Sequence, residues 1–171
     1  MTREIYTIQT AETTAIISQS RIDAVRRKSI SSTGVRVYDN GHIGVAGGLG
    51  AVETDALEKR ARNALDREVP YDGKPTGDVT RHESADEGAI PSEDDFVPLI
   101  ADILEHLRTE HPDFLFFNVA RRVTTTTTLQ NDVGLDLSDT AHRADVGILF
   151  KEQARDNILD DEIAIQTRRI R

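Results

Sequence analysis

The chain has 171 residues, no cysteine and a formal net charge of −9. Disulfides and thiolate metal sites are therefore excluded, and an acidic balance argues against sequence-independent binding to phosphate backbones. Aromatic residues make up 5% and tryptophan is absent, which leaves little for a base-stacking platform.

This length fits a single domain, residues 1–171, able to bury roughly 70% of its unfolded surface. No apolar run approaches the ~20 residues that span a bilayer. The start, Met1-Thr2-Arg3-Glu4-Ile5, lacks the apolar stretch of a signal peptide. The expectation is a cytoplasmic chain that binds neither membrane nor nucleic acid. The basic clusters Arg26-Arg27-Lys28, Arg121-Arg122 and Arg168-Arg169 read as solvated strand edges and a chain end.

The first fifty residues carry strand patterns. Glu4–Gln9 and Thr13–Ser18 are β-prone runs, and Ile22 and Ala24 alternate with polar neighbours. Val35 and Val37 alternate, as do Ile43 and Val45. Asp39-Asn40-Gly41 lies between them, and Asn and Gly tolerate the positive φ of a type I′ turn. Gly34–Ala46 is thus expected to be a hairpin, with Gly47-Gly48-Leu49-Gly50 ending the sheet in a turn. A helix follows. Asp55 and Glu58 form a capping-box-like pair, and Ala56, Leu57, Ala61, Ala64 and Leu65 share one face. Alanines there would let the helix approach a sheet closely. Pro70 and Asp72-Gly73 mark its end.

Residues 71–91 are polar and proline-containing, and read as an exposed loop. A second helix is expected to begin near Ser92–Asp95 with Pro98 in its first turn. Phe96, Leu99, Ile100, Ile103, Leu104 and Leu107 recur at helical spacing, and His111-Pro112 stops the run. Phe114–Phe117 is a buried strand by apolar density. Val123–Leu129, with threonine at every position from Thr124 to Thr128, suits a pleated surface. Asn131–Gly134 reads as a turn, Asp145–Phe150 as a strand, and Ile163–Ile170 alternates weakly. The order predicts an α+β fold, with mixed or antiparallel sheets and two main helices, one on each half of the chain.

Chemical motifs are incomplete. His82-Glu83 begins like a zinc-peptidase helix, but Asp86 stands where the second histidine would be, and Gly88 and Pro91 interrupt any helix. His106 and His111 complement the end of the second helix. His42 sits in the hairpin turn region and His142 before a strand, neither with a partner at ligand spacing. Gly44, Gly47, Gly48 and Gly50 lack the Lys-Ser/Thr of a phosphate loop, and Ser29, Ser31 and Ser32 lack a nucleophile elbow. Asp94-Asp95 reads as a helix start and Asp160-Asp161 as surface charge.

Two stretches resemble the TldD/PmbA family, once described as modulators of DNA gyrase. The first is Ser31–Tyr38 followed by Asn40–Ala46, in which Gly34, Arg36, Asn40, Gly41 and Gly44 match the family's strand-turn-strand. The second is Asn131–Leu137, similar to the family's Asn-Ser-x-Gly turn through Asn131 and Gly134, with Asp132 in place of the serine. The resemblance runs over nearly the whole chain and covers the N-terminal portion of such a protein. The family's zinc-binding H-E-x-x-x-H helix lies further on and is absent here, so no catalytic, cofactor or metal residue is carried over.

The resemblance implies a non-catalytic N-terminal domain of a metallopeptidase, or of its inactive partner, shaping access of peptide substrates. It implies partners as well: the remainder of a parent protein and a homo- or heterodimer with a family member. Zinc would belong to the full-length parent, with no cofactor in this chain. The alternative from another class is a stand-alone binding or structural module without peptidase activity. A third class is a hydrolase built on the His82 loop.

Overall fold

A computed structural model of the chain describes all residues except 74, 78–81, 86–89, 155–160 and 168–171. Its elements are β1 (Thr2–Ser18), β2 (Arg21–Asp39), β3 (His42–Leu49), α1 (Thr54–Ala64), a 3-10 turn (Leu65–Arg67), β4 (His82–Ala85), α2 (Glu93–Glu110), β5 (Phe114–Asn131), β6 (Asp136–Glu152) and β7 (Asp161–Thr167). The fold is α+β. Strand order is β3-β2-β1-β5-β6-β4, with β7 also pairing β6. β2 and β3 are antiparallel, as are β6 and β7, while β4 runs parallel to β6. Thus residues 82–85, inside the stretch read as a loop, pair with Leu137–Thr140. Of that stretch, 74, 78–81 and 86–89 lie outside the described residues.

Four strands are far longer than the usual five or six residues. The runs Glu4–Gln9 and Thr13–Ser18 merge into β1, and Phe114–Phe117 and Val123–Leu129 merge into β5. The chain divides into two compact units, and β1, β2, β5 and β6 each give one part to either unit.

The first unit comprises Met1–Thr10, Ser29–Asp86 and Thr125–Ala141. Asn40 (φ 46°) and Gly41 (φ 79°) join β2 to β3 in the expected left-handed turn, closed by Asp39 opposite His42. Val35 and Val37 of β2 and Ala46 of β3 pack against Leu57 and Ala61 of α1. A Cβ added at Gly44 would run into the carbonyl oxygen of Ala61, so glycine and alanine together let helix and strand backbones touch.

Three expectations change here. The helix is not capped by an Asp55–Glu58 box. Glu53, not Asp55, is the N-cap and makes no side-chain cap bond, and Glu58 bonds Arg3 and Arg62, charge-assisted pairs that outcompete one backbone N–H. Gly47 and Gly48 belong to β3, opposite Gly34 and Thr33, and the chain turns only at Gly50 (φ 75°). The helix ends well before Pro70, through the 3-10 turn and Glu68 in the left-handed region (φ 50°). Val69–Tyr71 then returns beside the start of β3, with Ile43 N donating to Val69 O (3.0 Å) and Tyr71 N to Gly41 O (2.8 Å).

The second unit comprises Ala11–Lys28, Glu87–Thr124 and His142–Arg171. Ser92 caps α2, its Oγ accepting from Asp95 N at 3.1 Å. Pro98 is the sixth helical residue, not one of the first turn. It forgoes a ladder bond to residue 94, yet the strong cap and the apolar face carry the helix on to Glu110. Phe96, Ile100 and Leu104 are buried against Ala15, Ile17, Phe116 and Ala120. Leu99 is 42% exposed, so the apolar stripe is narrower than its sequence spacing suggests. His142 lies inside β6 rather than before a strand, where its Nδ1 is 3.0 Å from Thr124 Oγ1.

Candidate functional site

The resembling motif residues all fall in the first unit. Asn131 builds the turn after β5. Its Oδ1 accepts from Val133 N (3.1 Å) and Leu135 N (2.9 Å), and its Nδ2 donates to Thr76 O (2.9 Å). Gly134 completes the turn at φ 106°, a value glycine adopts without strain. Asp132, at the position where the resemblance breaks, closes on Arg3: its Oδ2 accepts from Arg3 N (3.0 Å) and its Oδ1 from Arg3 Nη2 (3.1 Å). Arg3 Nη1 also donates to Glu58 Oε2 at 2.7 Å, and Glu58 is further paired with Arg62. Hydrogen bonds from Arg62 and then from Arg3 hold the Glu58 carboxyl below the ordinary carboxylate range. Arg3, Gln130, Asp132, Leu135 and Asp136 border a shallow cavity of about 320 Å³.

A second polar group lies on the strands. Arg36 Nη1 donates to Glu4 Oε1 (2.9 Å), and Tyr38 Oη donates to the same oxygen (3.2 Å). Glu4 and Tyr38 are buried. Burial first, and then the Glu4 carboxylate, push the Tyr38 phenol up to about 12.

These arrangements tie strands and helix together. Gly34, Arg36, Asn40, Gly41 and Gly44 line the hairpin, and Asn131 and Gly134 shape the later turn. Gly41 sets a turn, Gly44 a close approach and Arg36 an ion pair. Sequence reasoning missed Arg3, Glu4, Tyr38 and Glu58. Apart from the Glu58–Arg62 pair, four residues apart on one helix face, their partners lie 32 to 129 positions away, and no local pattern marks such pairs. Asp132 was visible only as a departure from a motif.

The carboxylates of this region face guanidinium groups rather than one another, which is the wiring of a structural network and not of a general acid–base pair. Among the described residues no three His, Asp or Glu side chains converge as metal ligands, so these residues do not fit a zinc site. The side chain of His82 lies outside the described residues.

The second unit holds a different feature. An apolar, half-open cavity of about 520 Å³ is bordered by Ile103, Leu107, Phe114, Val146, Ile148 and Phe150. Phe114 and Phe150 meet edge to face at 5.7 Å. His111 reaches its rim, 6.5 Å from the Phe114 ring centre. Among the described residues no helix is long and apolar enough to cross a membrane.

Comparison with known proteins connects these features. Residues 4–67 match the sequence profile described as PmbA/TldA metallopeptidase domain 1. No curated protein matches the chain. Among solved structures, a protein described as a candidate modulator of a DNA gyrase from Thermotoga maritima MSB8 aligns with TM-score 0.62 and 10% identity, over 95% of this chain and 37% of that one. TldE from Thermococcus kodakarensis aligns with TM-score 0.62 and 14% identity, over 96% and 39%. A candidate modulator of DNA gyrase from Bacteroides thetaiotaomicron VPI-5482 aligns with TM-score 0.58 and 11% identity, over 96% and 39%. At these identities the likeness is one of fold. The chain spans less than two-fifths of each of those proteins.

Proposed function

We propose that the chain is an N-terminal domain of the TldD/PmbA family and the non-catalytic first domain of a cytoplasmic metallopeptidase-type protein. In this reading its 171 residues act as one domain that shapes the access of peptide substrates and takes part in assembly of a dimer, with neither nucleic acid nor membrane as partner. The observation that carries the reading is the match of residues 4–67, which span most of β1, all of β2 and β3, and α1, to a metallopeptidase first-domain profile.

The chemistry of the described residues fits a supporting role. Amide hydrolysis needs an activated water or a nucleophile with a base and an oxyanion hole. The chain has no cysteine. The Arg3, Glu58, Arg62 and Asp132 network, the Glu4, Arg36 and Tyr38 group, and the Asn131 turn supply rigid edges. Any zinc would be held by residues of the parent outside this chain.

The test reads the coding sequence on either side of these residues and assays the longer product. Where an H-E-x-x-x-H segment is encoded, the longer protein should cleave fragments of unfolded protein and lose that activity on chelation. Deletion of residues 1–171 should change which peptides are cleaved. A longer protein whose peptide selection is indifferent to that deletion would overturn the reading. A gene that encodes no further domain would favour the stand-alone module.

A further inference from the structure

We draw no further inference here: the strongest candidate, the half-open apolar cavity of the second unit between α2 and the strands β5 and β6, bordered by Ile103, Leu107, Phe114 and Phe150, carries nothing because nothing in the structure shows whether a small ligand, a second copy or the rest of a longer protein covers it.

Discussion

The two units each lay one helix on strand segments, and they do so by opposite means. In the first, α1 meets β3 nearly backbone to backbone, with Gly44 under Ala61 and only Leu57 as a large buried side chain. In the second, α2 stands on Phe96, Ile100 and Leu104, set into the small floor of Ala15 and Ala120. The first compensates for its thin apolar layer with charge: Arg3, Glu58, Arg62 and Asp132 on one side, Glu4, Arg36 and Tyr38 on the other. The second has apolar surface to spare and leaves about 520 Å³ of it open. A helix can thus be held by close approach plus ion pairs or by bulk, and the two solutions fail differently.

The largest effect is expected in the bulky half. Leu104→Ala removes a side chain only 2% exposed and should cost about 2–5 kcal/mol in denaturant unfolding. A cost under about 0.5 kcal/mol would mean that Leu104 is not core. In the close-packed half the opposite change does the damage. Gly44→Ala adds a methyl group where the Ala61 carbonyl stands, and should cost about 1–3 kcal/mol by overpacking. If it is neutral or stabilising, α1 does not sit as close as described. Gly41→Val tests the hairpin alone. A β-branched residue at φ 79° should lower stability by at least about 1 kcal/mol, and an unchanged midpoint would refute the turn.

The smallest effects concern pH and separate the charged half from the apolar one. The folded Glu58 carboxyl lies below its ordinary value. Its contribution is therefore present above the unfolded carboxylate range of roughly 4, and is lost as pH falls through the lower folded value. Tyr38 runs the other way. Its phenol is raised to about 12, so that contribution is complete below the unfolded value of roughly 10 and disappears as pH rises through about 12. Glu58→Gln should flatten the acid side of the stability curve and Tyr38→Phe the alkaline side. Curves that keep both slopes would place the titrating groups elsewhere.

Much of the second helix and the hairpin could be read from the sequence. Their signals are local: apolar spacing from Phe96 to Leu107, and Asn40-Gly41 between alternating runs. The Ser92 start and the His111 stop were equally plain. Other features were hidden for physical reasons. Gly47 and Gly48 look like a turn because glycine favours turns, yet antiparallel pairing with Gly34 and Thr33 keeps them extended. The Gln19-Ser20 turn, with both residues at positive φ, has no glycine to announce it. It is held by Ser20, whose Oγ accepts from Phe116 N at 3.0 Å and whose N donates to Phe116 O at 2.8 Å. The capping box at Asp55 and Glu58 was a sound local pattern overruled by Arg3, which sits 55 positions from Glu58. The candidate site was legible as turns and glycines, and the charges that fasten it were not.

The most direct measurement of the central claim is a peptide-cleavage assay of the 171-residue chain itself, run on casein fragments with and without added zinc and paired with metal analysis after dialysis. A non-catalytic first domain should show no turnover in either condition and no stoichiometric zinc. Zinc-dependent turnover that disappears in His82→Ala, with one zinc retained per chain, would contradict the account and move the chemistry into this domain.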